Sequence, residues 1–155
     1  MCKRIITVIT ISGLLTAGYS AYRNRLSFGI GVQAGEPSGI TLKYWPSSNQ
    51  ALDLTAGWNP FTNRPVAQFA YLIHFPLNSL TLDISPYSGM GIVVGSNRFL
   101  TESPDSSAYL AGRVPIGVEL FSNHLGVYGE VDVLMNLLPD NRLGIAGGVG
   151  LRFYF

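Results

Sequence analysis

Two carboxylates, Glu130 and Asp132, have the spacing that comes closest to a catalytic arrangement. Residues two positions apart in a β-strand lie on the same face, so this pair could act as general acid and general base. His74 ends a predicted strand and His124 lies in a predicted tight turn, both on the same side of the predicted fold as the chain termini. We find no metal-ligand spacing, nucleophile elbow or phosphate-binding loop. We therefore predict no catalytic residue, no metal and no cofactor, and we interpret the two carboxylates as partners of arginines.

Charged residues are sparse and fall mostly on one face of the predicted strands. They make up 12% of the 155 residues, about half of the roughly 25% that is usual in soluble proteins. Charges that face a narrow interior need partners, and tight strand connections bring Arg113 near Asp132 and Arg152 toward Glu130. We predict a structural salt-bridge network that plugs the interior, with an ion or proton path as the alternative. The predicted network comprises Lys43, Asp53, Asp83, Arg113, Glu119, Glu130, Asp132 and Arg152.

The elements that position these charges are strands, because apolar and polar residues alternate with a period of two after residue 25. Turn-forming clusters separate the alternating runs, and the short links between runs favour antiparallel neighbours. Pro86 cannot donate a ladder hydrogen bond, so we expect a bulge or a bend there. The eight predicted strands cover 26–34, 40–45, 51–58, 66–75, 80–95, 109–121, 125–137 and 143–155.

This pattern predicts an all-β fold, an antiparallel up-and-down barrel of about eight strands that spans a membrane. Alternation alone leaves the outer face undecided, because a soluble lipocalin-like barrel puts its apolar residues inside. The polar face favours a membrane, since it carries many glycines and isolated charges instead of the Lys and Glu of a soluble surface. Aromatic residues near the strand ends are typical of an interfacial belt, and they are Tyr44, Trp45, Trp58, Phe75, Tyr109 and Phe121.

The C-terminal residues give a second signal for a membrane barrel. Leu151, Phe153 and Phe155 alternate on one face, and the sequence ends on the aromatic ring. Many outer-membrane barrels end in this way, and the terminal aromatic residue is associated with recognition by the barrel-assembly machinery. We predict that these three residues form an assembly signature and that this machinery is a partner during biogenesis.

The N-terminal segment is typical of a signal peptide. The basic residues Lys3 and Arg4 precede a short apolar run, and small residues allow cleavage after Ser20. We predict a signal peptide over 1–20 and a barrel domain over 21–155, with an uncleaved anchor helix as the alternative. Loss of the two basic residues changes the formal net charge from +1 to −1. Without a basic patch, we predict no nucleic-acid partner.

Several short motifs match those of one family. A Gly-Glu-Pro-Ser-Gly turn at 35–39 leads to a Lys-Tyr-Trp strand at 43–45, and the sequence ends with Gly-Leu-Arg-Phe-Tyr-Phe at 150–155. The stretches 113–117 and 138–140 also match. In these motifs the chain resembles a family of small, uncharacterised outer-membrane β-barrel proteins of diderm bacteria. The resemblance implies the fold and the location, and it supplies no catalytic residues.

These features together predict a monomeric outer-membrane protein that contacts membrane lipid and has a structural or membrane-integrity role. One alternative is a soluble periplasmic lipocalin-like binder of an apolar ligand. A lipid-modifying barrel enzyme and a narrow pore are further alternatives. The longest predicted loop, 96–107, is the best candidate for external contacts, and a solvated connector is its simpler interpretation.

Overall fold

The computed structural model describes residues 27–75, 77–78, 83–96, 108–138 and 141–155. The predicted signal peptide and nearly all of the predicted loop at 96–107 lie outside the described residues. No helix in the described part of the chain is long and apolar enough to cross a membrane.

Alternating sequence produces strands almost throughout the described chain. Eight strands have 9 to 14 residues each, and one further strand has two residues. In chain order they are β1 (Phe28–Glu36), β2 (Ser38–Ser47), β3 (Gln50–Asn59), β4 (Arg64–His74), β5 (Leu77–Asn78), β6 (Asp83–Gly95), β7 (Tyr109–Ser122), β8 (Leu125–Leu138) and β9 (Leu143–Tyr154).

The eight long strands close into a barrel. The order of hydrogen-bonded neighbours is β4-β3-β2-β1-β9-β8-β7-β6, and β6 pairs back onto β4. Both edges of every long strand are therefore paired, and every pairing is antiparallel. The short β5 adds two pairs at the start of β6. The predicted all-β antiparallel barrel of eight strands is confirmed.

The two ends of the barrel differ in their connections. At the terminal end, where β1 starts and β9 finishes, two-residue turns join β2 to β3 and β7 to β8. The opposite end, here called the loop end, carries the turn at Pro37, the turn at 60–63 and the longer connection after β6. At Pro37 the β1–β2 pairing stops at Gln33↔Gly39, which agrees with the predicted turn. The strands continue into that turn because β1 still pairs with β9 there and β2 with β3.

The bulge expected at Pro86 is absent from the ladder. Ser85, Pro86 and Tyr87 pair with three consecutive residues of β7, without a shift in register. The last β4–β6 pair is His74↔Tyr87, so Pro86 lies one residue beyond the end of that ladder. Its carbonyl accepts a bond from the Phe75 N–H at 2.8 Å. The missing proline N–H therefore removes a single bond at a strand end, where proline is tolerated.

Apolar side chains cover the outside of the barrel. Asp83, the first residue of β6, is the one charged residue within the described strands that is exposed. Soluble proteins show the opposite arrangement, with apolar side chains buried. Exposed apolar residues occur on every long strand, for example Val32, Ile40, Leu54, Phe69, Ile92, Ile116, Val131 and Val149.

Three of the six aromatic residues predicted to form an interfacial belt lie on the outside. They are Tyr44, Trp58 and Phe75, each about half exposed. Trp45 and Tyr109 are buried in the interior and Phe121 packs against the core cluster that contains Trp45, so the belt prediction was wrong for these three. The cause is the two-residue period, because Trp45 follows Tyr44 directly and therefore points to the opposite face.

Candidate functional site in the barrel lumen

Seven of the eight charged residues predicted to face the interior are buried in the lumen. They reach it because each alternates with exposed apolar neighbours along its strand. Asp83 is the exception, since it is exposed where β6 begins, and its assignment to the network was wrong. The seven buried residues, each at most 6% exposed, are Lys43, Asp53, Arg113, Glu119, Glu130, Asp132 and Arg152.

Glu119 on β7 receives donors from two other strands. The Lys43 Nζ atom on β2 lies 2.5 Å from Glu119 Oε2. On β9, the Tyr154 hydroxyl donates to Oε1 at 2.5 Å, and the Nη1 atom of Arg152 lies 3.8 Å from the same oxygen. Because β2 and β7 lie four strands apart in either direction around the barrel, the Lys43–Glu119 pair spans the full width of the lumen.

Arg152 on β9 joins this group to the other side of the barrel. Its Nη2 atom donates to Asp53 Oδ1 on β3 at 2.8 Å and to the Thr41 hydroxyl on β2 at 2.7 Å. Its guanidinium carbon lies 3.8 Å from the ring centroid of Tyr128, a cation–π contact. Arg152 thus connects strands that share no ladder with β9.

The predicted approach of Arg152 to Glu130 was wrong, because its partners are Asp53 and Glu119. The register explains the difference: Arg152 stands opposite Gly126 on β8, four residues from Glu130 along that strand. Four residues of strand correspond to about 13 Å. Glu130 pairs with Arg113 instead.

Arg113 on β7 forms the second group. Its Nε atom donates to Asp132 Oδ1 at 3.0 Å, and its Nη1 atom donates to Gln68 Oε1 at 2.5 Å. Its Nη2 atom donates to Glu130 Oε1, and the other oxygen of Glu130 accepts the Tyr87 hydroxyl at 2.9 Å. The predicted pairing of Arg113 with Asp132 is confirmed. One guanidinium thus holds two carboxylates and an amide in a fixed fork.

Four inward-facing glycines make room for tyrosine rings, a feature that we did not predict. A Cβ atom at any of these glycines would lie 2.7 Å or less from a ring atom. The sequence shows many glycines on the polar face of the strands, and tyrosines on the same face could have suggested the matches. The pairs are Gly29 with Tyr154, Gly95 with Tyr109, Gly117 with Tyr87, and Gly150 with Tyr128.

The glycines position tyrosine hydroxyls for the polar network. Besides the bonds to Glu119 and Glu130 already described, the Tyr128 hydroxyl on β8 donates to Gln33 Oε1 on β1 at 2.7 Å. A ring that lies flat over a glycine has little freedom to move, so its hydroxyl stays at its acceptor. The network is therefore held by ring packing as well as by charge.

Rings close the terminal end of the lumen. The His74 ring packs between Trp45 and Tyr87, with centroid distances of 4.4 and 4.7 Å. Phe121 packs on Trp45 and on Tyr154, at 6.1 and 5.5 Å. These residues lie near the last residues of β2, β4, β7 and β9 and the first residues of β6. They form a layer, here called the aromatic plug, between the charge network and the terminal end.

A histidine and a serine meet within this plug. His74 Nδ1 lies 3.0 Å from the Ser85 hydroxyl, a distance that suits a base and a nucleophile. Both residues are buried, at 1% and 0% exposure, beneath the Trp45 and Tyr87 rings. The two side chains form a buried hydrogen bond within the plug.

The loop end of the lumen is narrow, and an apolar cluster lies there beside polar residues such as Asn59, which donates to Glu36 Oε1 at 2.7 Å. Val66, Val93, Tyr109, Ala111 and Leu134 form a buried cluster there. A cavity beside the cluster has a volume of about 20 Å³, which is close to the space that one water molecule needs. A lipocalin-like binder requires a large apolar cavity, and the described lumen is instead filled by polar side chains.

The three residues of the predicted C-terminal signature lie on the outside. Leu151, Phe153 and Phe155 are 48%, 53% and 57% exposed. Leu151 and Phe153 stand opposite residues of both β1 and β8, and the Phe155 N–H donates to the Phe28 carbonyl at 2.9 Å. The end of the chain therefore forms part of the seam that closes the barrel.

No family model, no curated protein and no solved structure matches the chain. Within the described residues, no group of three or more His, Cys, Asp or Glu side chains could hold a metal ion. The site therefore rests on its own geometry: a closed eight-stranded barrel with a buried charge network inside and an exposed apolar surface outside.

Proposed function

We propose that this chain is an integral protein of the bacterial outer membrane, with a structural or membrane-integrity role and a closed lumen. The observation that carries the proposal is the inversion of the two faces, with apolar side chains outside and charges inside. Lipid solvates such a barrel, and water does not, because monomeric soluble proteins rarely expose contiguous apolar patches larger than a few hundred Å².

The dimensions of the strands support a bilayer location. A strand that crosses a bilayer at a tilt of about 45° needs about 9–11 residues, and the long strands have 9 to 14. Full closure also satisfies the backbone hydrogen bonds of every strand, which a lipid environment demands.

Three further features support the outer membrane in particular. Closed antiparallel barrels with an even number of strands are the architecture of bacterial outer-membrane proteins. The sequence resembles a family of such proteins and begins with a predicted signal peptide. The exposed Leu151, Phe153 and Phe155 suit recognition by the barrel-assembly machinery. We propose a monomer that contacts outer-membrane lipid over its whole circumference.

A closed lumen follows from three successive layers. The aromatic plug fills the terminal end, the charge network fills the middle, and the apolar cluster fills the loop end. Eight strands leave an interior just wide enough for side chains, and here pairs such as Lys43–Glu119 cross it completely. We therefore propose a structural role rather than transport.

The location is tested by fractionation and gel mobility. We expect the protein in washed outer membranes, where it should run faster on a gel unheated than boiled, because a folded barrel resists detergent. Soluble protein in the periplasm, without a mobility shift, would reject the proposal.

The closed lumen is tested by conductance in planar bilayers. We expect the wild-type barrel to be silent. The variant Lys43→Ala, Glu119→Ala removes only the pair that spans the lumen and should also stay silent, because the aromatic plug and the apolar cluster remain. Ile116→Ala on the lipid face serves as the control and should behave like the wild type. Steady conductance by the wild type would replace the structural role with that of a narrow pore.

A further inference from the structure

Among the residues that the structure describes, the buried charges of the lumen do not balance. Fully or almost fully buried carboxylates outnumber buried guanidinium and ammonium groups by one. An uncompensated charge in a low-dielectric interior is costly, and such a group takes up a counter-charge or a proton. The cations are Lys43, Arg113 and Arg152, and the carboxylates are Asp53, Glu119, Glu130 and Asp132.

A positive His74 is a poor source of the missing charge. The Lys43 ammonium lies 4.9 Å from the centroids of Trp45 and Tyr87, the same two rings that enclose His74. Protonation of His74 would place two cations around those rings. The imbalance must therefore be met at a carboxylate.

The excess negative charge lies at Arg113. Lys43 pairs with Glu119, and Arg152 pairs with Asp53, so each of these carboxylates has a cation of its own. Arg113 alone faces both Glu130 and Asp132.

Asp132 is the member of this group that is left incomplete. It is 0% exposed. Its Oδ1 atom accepts the Arg113 bond, while its Oδ2 atom is buried and has no hydrogen-bond partner in the described structure. A carboxylate oxygen without a donor in the interior is unfavourable, and protonation of the pair removes the charge that makes it so.

Among the described residues, the elements around Asp132 supply no further positive charge. On β8 the neighbouring inward residues are Glu130 and Leu134, and on β9 the residue opposite is Ala146. On β7 the residue opposite Asp132 is Pro115, and Arg113 lies two residues before it in the chain. Gln68 of β4 is neutral. Tyr87 of β6 reaches the pair only through Glu130, and Asp53 of β3 contributes a further negative charge.

A metal cation fits this position less well than a proton. Calcium takes about six to eight oxygen ligands, and magnesium requires an octahedral set. Within the described part of the chain, no suitable group of His, Cys, Asp or Glu side chains exists. A proton needs only a single oxygen.

We infer that Glu130 and Asp132 together bind one exchangeable proton, which enters from the loop end. The cavity at that end is lined by Gln68, Leu134 and Ala146. Gln68 bonds to Arg113, and Ala146 stands opposite Asp132, so a water molecule in this cavity would lie one side chain away from the pair. The aromatic plug separates the pair from the other end. The lumen, although closed to ions, therefore contains a proton-binding site that faces the cavity at the loop end.

The direct test is infrared spectroscopy of the chain folded in lipid bilayers at neutral pH. We expect the carbonyl stretching band of a protonated carboxylic acid, shifted in heavy water. The band should vanish in Asp132→Asn and in Glu130→Gln, because either change leaves Arg113 with one carboxylate. It should persist in the control Asp83→Asn, which removes an exposed carboxylate outside the lumen network. A wild-type protein without this band overturns the inference.

A second test uses the pH dependence of unfolding. The folded state holds one proton that the unfolded state releases above about pH 5, so the stability of the wild type relative to Asp132→Asn should fall as pH rises. The unfolding equilibrium constant of the wild type, divided by that of Asp132→Asn, should rise tenfold per pH unit. This rise should begin at about pH 5 and end at the pH at which the folded pair loses its proton. Equal slopes contradict the inference.

The remaining outcome concerns cations. If the stability of the wild type rises when choline is replaced by sodium at constant ionic strength, and that of Asp132→Asn does not, a sodium ion occupies the site and the proton assignment is wrong. If Asp132→Asn fails to fold, the infrared band of the wild type and its loss on titration to high pH still decide the question.

Discussion

Removal of Arg113 tests most directly whether the lumen network stabilises the barrel as one unit. The guanidinium is 1% exposed and contacts two carboxylates that are themselves at most 2% exposed. Arg113→Met keeps much of the side-chain volume but leaves both carboxylates without a cation. Loss of one partner from a buried ion pair costs about 3–5 kcal/mol, and we expect a loss of stability in this range or above it.

All three charges of the Arg113 group can also be removed together. In the triple variant Arg113→Met, Glu130→Gln, Asp132→Asn, no buried charge of this group remains. Replacement of a whole buried ion cluster by neutral groups of similar size is often close to neutral. We therefore expect the triple variant to be within about 2 kcal/mol of the wild type and more stable than Arg113→Met alone.

The assay is equilibrium unfolding by urea in lipid bilayers at pH 8, followed by the fluorescence of Trp45 and Trp58. Asp83→Asn serves as the control, because Asp83 is exposed at the start of β6 and exposed substitutions usually change stability by less than about 0.5 kcal/mol. If the effects of the three substitutions simply add, the groups are not coupled and the network argument fails. The same conclusion follows if Arg113→Met costs no more than Asp83→Asn.

Three further predictions concern the packing and the faces of the barrel. Gly117→Val places side-chain atoms where the Tyr87 ring lies, and we expect it to lower the free energy of unfolding in urea by at least about 1–3 kcal/mol. Gly129→Val should cost little, because the nearest atom of another strand to a Cβ at Gly129 is Val149 Cγ1, 3.9 Å away. Equal costs would refute the ring-packing argument. Ile116→Arg puts a charge on the lipid face and should cost up to about 2–4 kcal/mol near the bilayer midplane, and an unchanged unfolding midpoint would contradict a bilayer location. Brominated lipids should quench the exposed Trp58 more strongly than the buried Trp45, as measured in the Trp45→Phe and Trp58→Phe variants; the reverse order would exchange the two faces.

Sequence alone predicted the face of most charged residues, because the two-residue period of a strand is visible without any partner. Lys43, Asp53 and Arg113 fall on the polar parity of their strands, and the structure buries all three. The pairing of Arg113 with Asp132 was also predictable, since a two-residue turn joins β7 to β8 and fixes their register.

Contacts across the lumen could not be predicted in the same way. The Lys43–Glu119 pair depends on which strands face each other after closure, and the Arg152–Asp53 pair depends on the stagger of strands β9 to β3. Neither quantity is set by a local turn, because both depend on the shear of the whole barrel. The wrong prediction that Asp83 faces the lumen has a different origin. The alternation of residues gives the face of a strand but does not show that Asp83, as the first residue of β6, lies at the exposed rim.

The network also fixes the register of the strands. A shift of one residue in β8 would turn Glu130 and Asp132 to the lipid face and bring Val131 and Val133 into the lumen. Charges at the centre of a bilayer are costly, and the same shift would leave Arg113 buried without a carboxylate partner. It would also turn Tyr128 to the lipid face, away from Gly150, which makes room for its ring in the lumen. Because exposed Val and Leu side chains are equivalent toward lipid, the apolar outer face cannot distinguish one even-numbered shift from another. The selection among such shifts must therefore come from the lumen, where specific donors meet specific acceptors and each of four tyrosines meets a glycine.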